Sequence, residues 1–470
     1  MSTAIHVRCN AAIAQAKAPG PRAQDSRLVL AATILASSLD FIDGSAVNVG
    51  LAAIGRNFDA SAANLQWVIN AYLLPLSALL LLGGAAGDRF GRRRLLIVGI
   101  VIFAGASVAS ALAPNLHFLV IGRAMQGVGA AMVMPNSLAV LGVEFSGQAK
   151  GQAIGIWAAA ASVASAIGPV IGGGLIDAIG WRAIFFLNLP IAAGAIVLVC
   201  LFVNDVPEKG RAPLDLIGAA LVTLGLGALT WGLTNGAGPQ GGSIQTIAAL
   251  ATGSLFLLLF IANEHREGER AMMPLALFAS WSLVGLTLLT LLLYGALAAL
   301  FLLVPYLLIQ GSGYTGTAAG AALLPFPLVL AIASPTVGKV ATRIGARVPL
   351  IVAPLIVAAG FLLLAHTSLG RNYWTNLLPP ILVIAIGMAG TVAPLTNAVL
   401  AAVDQRHAGT ASGINSAVAQ TGGLFAIGLL GAVLSAQGAV LVADANVVFV
   451  IAAIASVGAA LSALALIKSR

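Results

Sequence analysis

Apolar runs of about 20 residues recur from residue 28 almost to the end of the chain, separated by short polar breaks. Coiled as a helix, a run of that length spans the hydrocarbon core of a bilayer, about 30 Å. In hydrocarbon every backbone N–H and C=O must find a partner within the protein, which leaves helices and closed barrels as the only spanning structures. Fourteen such runs can be counted. They lie near 28–50, 64–86, 95–113, 117–141, 152–176, 183–203, 214–235, 244–263, 283–309, 316–337, 348–367, 376–401, 409–436 and 444–467. The alternating segments of about ten residues that mark a membrane barrel are not seen. The expected fold is therefore an all-α membrane protein with fourteen spans.

Composition excludes the main competitors. Of 470 residues, 60% are hydrophobic and 8% charged, against roughly 25% charged in a soluble globular protein. A soluble enzyme, a disordered chain and a disulfide-stapled secreted domain are ruled out. Cys9 and Cys200 are too few for a disulfide framework and fit no metal spacing, and His265, His366 and His407 fall at helix ends or in loops. No G-x-x-x-x-G-K-[ST] loop is present, so ATP-driven transport within this polypeptide is not expected. Nor do the spans show a nucleophile–base set, so the chain does not read as an enzyme.

The net charge of +8 reflects orientation rather than nucleic-acid binding. With the N-terminus in the cytoplasm, 19 of the 23 Lys and Arg fall on cytoplasmic segments. Three (Arg56, Arg182 and Arg371) fall outside, and Arg123 lies within a span. That bias is the positive-inside pattern and places both termini in the cytoplasm. Residues 1–27 carry Arg8, Lys17, Arg22 and Arg27 without an apolar core and read as a cytoplasmic tail.

An internal echo suggests the organisation. Gly84-Ala-Ala-Gly-Asp88-Arg89-Phe-Gly91-Arg92-Arg93-Arg94 follows the second span; Gly338-Lys339-Val-Ala-Thr342-Arg343-Ile-Gly345-Ala-Arg347 follows the tenth. Those spans are equivalent if two six-helix bundles, 28–203 and 283–467, flank a linker at 204–282 that carries two extra helices, with 468–470 as a cytoplasmic end. Repeated bundles with a site between them are the signature of a secondary transporter.

Four motifs then resemble the major facilitator superfamily, and within it the fourteen-helix drug:proton antiporters of the EmrB/QacA type. Gly84 to Leu96 is similar to the loop motif G-x-L-a-D-R-x-G-R-K/R-x-x-L. Asp43-Gly-Ser-Ala-Val-Asn48-Val-Gly-Leu is similar to the first-helix motif L-D-x-T-x-V-N-V-A-L-P, with Ile42 for its Leu and Ala52 for its Pro. Arg123-Ala-Met-Gln126-Gly127-Val-Gly129-Ala-Ala resembles R-x-x-Q-G-x-G-A-A. Ala164-Ser-Ala-Ile-Gly168-Pro169-Val-Ile-Gly172-Gly173 resembles the antiporter motif G-x-x-x-G-P-x-x-G-G. Gln66 to Tyr72 and Trp181 to Pro190 look typical of the same subfamily. The resemblance implies efflux of a hydrophobic or amphipathic compound in exchange for protons, by alternating access, across the bacterial inner membrane. No cofactor is implied, because the proton gradient drives the cycle. The implied partners are a lipophilic small molecule, protons and membrane lipids, with a periplasmic adaptor and an outer-membrane duct where export must cross a second membrane. A dedicated exporter of one metabolite, and a uniporter with structural acids, are the alternatives.

Charge inside a bilayer costs about 2.5–3.5 kcal/mol even on lenient scales, so charges that stay there are functional candidates. Three lie well within the spans: Asp40, Asp43 and Arg123. Asp40 and Asp43 share a helix face and sit about 18 and 23 Å deep, with Arg123 at about 21 Å. If helices 1 and 4 are neighbours, as the superfamily fold implies, Arg123 can pair with either acid, and proton coupling is assigned to these three with Asp43 as the carrier. Gly84, Asp88, Arg89, Gly91 and Arg92 are expected to form a conformational latch. In it Asp88 would accept from N–H groups at a neighbouring helix start, the glycines would give the turn and close approach, and the arginines (with Arg93 and Arg94) would meet anionic groups. Gly168, Pro169, Gly172 and Gly173 allow tight packing and a kink; by resemblance they seal the cavity. Candidate cavity residues are Asn48, Asn70, Tyr72, Gln126, Asn136, Trp157, Tyr294, Asn397, Asn415 and Gln420.

Overall fold

A computed structural model describes residues 23–204, 214–236, 242–268, 271–367, 372–404, 407–436 and 438–467. Of the 23 Lys and Arg, Arg8, Lys17, Arg22, Lys209, Arg211, Arg270, Arg371, Arg406, Lys468 and Arg470 lie outside these residues, as do most of the 1–27 tail and the 468–470 end. The described chain is helical throughout, without strands. The spans are α1 (Ala23–Phe58), α2 (Ala62–Phe90), α3 (Arg92–Ala111), α4 (Leu116–Glu144), α5 (Gly147–Ile179) and α6 (Ala183–Phe202). Next come α7 (Leu216–Gly236), α8 (Ile244–Glu267) and α9 (Trp281–Ser312). A broken α10 (Gly316–Ala321 and Pro325–Ile344) precedes α11 (Arg347–Ala365), α12 (Tyr373–Ala401), α13 (Ala408–Gly428, followed by a turn of helix at Gly431–Ser435) and α14 (Gly438–Leu466).

Thirteen of these are long and apolar enough to cross a membrane. The exception is α13, 21 residues bearing Thr410, Ser412, Asn415, Ser416, Gln420 and Thr421. Its position explains the polarity, since it packs on α9 in its own half and on α2 of the other half rather than turning mainly to lipid. Several helices outrun their apolar runs. The first span extends to Phe58 and so includes Arg56, because a long cationic side chain at a helix end reaches the polar interface. Pro325, which cannot donate to the helix ladder, accounts for the break in α10.

The two halves repeat one packing scheme. In the first, α1 lies on α5 and α6, α4 on α2 and α3, and α3 on α6; in the second, α9 lies on α13 and α14, α12 on α10 and α11, and α11 on α14. The halves meet where α1 touches α9, α5 touches α10 and α2 touches α13, while α7 and α8 pair with each other and lean on α2 and α13 through α7. The end at which α1 finishes and α2 begins is called the far end, and the opposite one the tail end.

Candidate functional site

The site begins with two acids one turn apart on α1. Asp43 is 1% exposed and Asp40 7%. Arg123, on α4, is among the largest fully buried side chains and forms an ion pair with Asp43. An isolated guanidinium in this interior would be prohibitively costly, and here each of its faces is used. Nε donates to the Val68 carbonyl on α2 at 3.0 Å, and Nη1 to Gln126 Oε1 at 2.9 Å as well as to Asp43. Its plane lies over the Tyr72 ring at 4.4 Å and near Phe185 at 5.9 Å.

Asp43 collects two more donors: Gln126 Nε2 at 3.1 Å and Asn188 Nδ2 at 2.8 Å, both to Oδ1. Gln126 and Asn188 also donate to Ser107 Oγ, at 2.8 and 3.2 Å, which ties α3, α4 and α6 into the same cluster. Asp40 accepts instead from the Tyr72 hydroxyl. Tyr72 therefore links Asp40 to Arg123, with its hydroxyl on the first and its ring against the guanidinium of the second. Five helices of one half supply this network. Among the described residues, the second half buries no charged side chain within its helices.

Comparison with known proteins now places the fold. The Major Facilitator Superfamily profile matches residues 33–427. The chain belongs to the Major Facilitator Superfamily. It is 35% identical over 419 residues to the multidrug resistance protein Stp of Mycobacterium tuberculosis, covering 87% of this chain and 76% of that one. With the tetracenomycin C resistance and export protein of Streptomyces glaucescens it shares 31% over 403 residues, covering 84% and 73%. A crystal structure of the peptide transporter POT in complex with sulfate superposes with a TM-score of 0.69 at 13% identity, over 96% of this chain and 95% of that one. That likeness is one of fold. The protein is a multi-pass membrane protein of this superfamily.

The other superfamily motifs fall at contacts between helices. In the loop motif, Gly91 takes φ 102° between α2 and α3, a conformation that favours glycine. Asp88 departs from expectation: it is held by Arg92 one turn on, at 2.9 Å from Nε and 2.8 Å from Nη2, rather than by N–H groups of a neighbouring helix start. The i,i+4 spacing across a helix junction puts a guanidinium in reach before any other donor. Arg92 also reaches the Ala139 carbonyl at 3.5 Å, Arg93 the Cys200 carbonyl at 2.5 Å, and Arg89 lies over Phe90. Close approach occurs not at Gly84, where an added Cβ would meet Pro135 at an ordinary 3.5 Å, but at Gly83 and Gly87. There an added Cβ would lie 2.1 Å from the Ala131 carbonyl oxygen and 1.6 Å from Asn136 Oδ1.

In α5, Gly168 and Gly172 let α1 approach: a Cβ would stand 2.0 Å from Ser45 Oγ and 2.7 Å from Ala46 Cβ respectively. Gly173 and Pro169 face α10 instead, where a Cβ on Gly173 would lie 2.2 Å from the Gly316 oxygen and one on Gly320 2.2 Å from the Pro169 oxygen. The antiporter motif thus touches one helix of each half.

The ten candidate cavity residues do not form one group. Tyr72 and Gln126 belong to the charge network. Asn136 binds the Gly83 carbonyl at 2.9 Å and holds α4 to α2. Asn415 accepts from Thr290 at 2.7 Å and joins α13 to α9. Trp157 is half-buried on α5 and donates to Ser37 at 3.1 Å, with its ring edge-on to Phe41 at 6.1 Å. Asn70 is buried with both amide atoms unpartnered, Asn397 is exposed, and Asn48, Tyr294 and Gln420 are half-buried.

Three polar groups escaped sequence reasoning. Ser107 has nothing in its own sequence to separate it from Ser110. Asn188 sits in the Trp181–Pro190 motif, and its place in an apolar run was the available signal. Glu264 is fully buried on α8, which continues to Glu267 beyond the apolar run that ends near 263. It accepts from the Met273 N–H, beside an Asp215 that binds Asn263 Nδ2 at 3.2 and 3.0 Å.

Proposed function

We propose that this protein exports hydrophobic or amphipathic drugs from the bacterial cytoplasm in exchange for protons, by alternating access between its two six-helix halves. The tail end would face the cytoplasm and the far end the outside. The observation that carries this reading is the Asp43–Arg123 pair, buried in one half and flanked by Asp40 and Tyr72. A proton arriving at Asp43 cancels the charge that holds Arg123. The guanidinium is then left over the Tyr72 ring, and the remaining carboxylate within its surroundings is Asp40, at the hydroxyl edge of that ring. Proton binding at Asp43 therefore competes with the contact between α1 and α4, which is what a coupling site must do. Relatives described by their names as multidrug and antibiotic resistance proteins support a drug as the other substrate.

Everted vesicles energised with a proton gradient test this. Wild type should discharge the gradient when lipophilic cations, neutral drugs or amphipathic acids are added, and Asp43→Asn should not. A mutant that responds like wild type would leave Asp43 structural and transfer the role to Asp40. A dedicated exporter is the second reading, favoured by relatives named for single antibiotics such as tetracenomycin C. It would respond to one chemical class and show no competition among unrelated compounds.

A further inference from the structure

The far end is closed along two seams that the repeat makes equivalent, and they are built from different chemistry. In one, the start of α2 meets the end of α13. The buried Gln66 amide donates to the Ile427 carbonyl at 2.5 Å and approaches that of Gly428 at 3.4 Å. In the other, the end of α5 meets the start of α10, and the rim group is the exposed Asp177. Its Oδ1 accepts from the Gly316 N–H at 3.0 Å; its Oδ2 accepts from the Thr317 N–H at 2.8 Å and the Thr317 hydroxyl at 2.6 Å. Beneath it the backbones nearly touch, at Gly173 against Gly316 and Pro169 against Gly320. An interface of glycine and proline backbone permits close approach but has few side chains to interlock. The hydrogen bonds at its rim therefore carry much of its preference for the closed state.

We propose that Asp177 is the latch of the far-end gate, a positioning residue whose grip on Gly316 and Thr317 biases the two halves toward closure on that side. The proposal rests on alternating access and adds a residue outside every motif described above. The physical scale suits the task. Exposed polar contacts are each worth little net free energy, and a transporter needs a bias that substrate or proton binding can overcome. A buried ion pair would be too costly to break without a proton to neutralise it, and a seam of backbone alone would lack a bias.

The test uses the full chain in nanodiscs, with Cys9→Ser and Cys200→Ser, and spin labels on Ile179→Cys and Gln310→Cys, both exposed at the far end in opposite halves. The label-to-label distance distribution is recorded with and without ethidium. Asp177→Ala, which removes the hydrogen bonds to Gly316 and Thr317, should raise the ratio of separated to closed population about three- to tenfold. Asp177→Asn keeps one acceptor oxygen and should fall between, and Thr317→Val, which loses the hydroxyl alone, should shift least. A merely structural Asp177 would lower Tm and leave the ratio unchanged, which would overturn the latch. So would an unchanged ratio in Asp177→Ala with a shift in Gln66→Ala, which would move the gate to the other seam. If no separated population appears in wild type, in Asp177→Ala or in Gln66→Ala, alternating access itself fails and takes the latch with it.

Discussion

Arg123 is the residue on which the most contacts converge, and its chemistry makes sharp demands on replacement. It uses Nε toward Val68, Nη1 toward Asp43 and Gln126, and its flat face toward Tyr72. A lysine offers one compact ammonium and no planar fork. Arg123→Lys should therefore retain folding but lower drug-driven proton flux in everted vesicles by about tenfold or more. Arg123→Leu leaves Asp43 buried without its counter-ion and should destabilise the protein by about 3–5 kcal/mol. Adding Asp43→Asn to it should recover part of that loss, read as thermal melting in detergent. If the two substitutions simply add, the ion pair is not the coupling contact the geometry indicates.

At the scale of elements, glycines decide how closely helices lie, and the sequence motif points to a different glycine from the one that matters. An added methyl at Gly87 would fall 1.6 Å from Asn136 Oδ1, and Asn136 is itself committed to the Gly83 and Met132 carbonyls at 2.9 and 2.7 Å. Gly87→Ala should cost about 2 kcal/mol by overpacking, whereas Gly84→Ala, with 3.5 Å to Pro135, should be close to neutral. Thermal stability of the two variants side by side checks this, and equal losses would contradict the packing of α2 on α4. α13 obeys a related logic: its Gly413 sits against Leu81 of the other half, and its Gly423 against Ala298 of α9 and Leu73 of α2. Its polarity follows from that internal position.

For the molecule as a whole, the two halves share a packing scheme but not a division of labour. Among the described residues, the buried charges of the repeat lie in the first half, and the second contributes neutral contacts such as Thr290–Asn415 and Tyr306 to the Leu434 carbonyl at 3.1 Å. If the tail end is cytoplasmic, a single cysteine at Ile179 should react with an impermeant thiol reagent from outside intact cells. A cysteine at Lys150 should react only after the membrane is opened. Reversed labelling would invert the direction of transport proposed here. Gly173→Val should also separate the halves at the far end, because its side chain would enter the Gly316 backbone, and reagent access from outside to residues near Gly320 should rise.

Much of this was legible in the residues because the bilayer penalises exceptions. Apolar length marked the spans, and the cost of buried charge picked out Asp40, Asp43 and Arg123. Neutral polar residues carry a smaller penalty that any hydrogen bond between helices relieves, so Ser107 and Asn188 in the network could not be told from Asn136 or Asn415, which hold helices together. Asp177 lay outside the motifs and close to the end of an apolar run, where an acid is unremarked. Sequence alone therefore determined what must lie in lipid and which charges need an explanation. The tertiary structure alone decided which acid Arg123 holds, which glycines touch and what closes the far end. Those depend on helices brought together from distant parts of the chain, and their contacts are set by packing rather than by any local pattern.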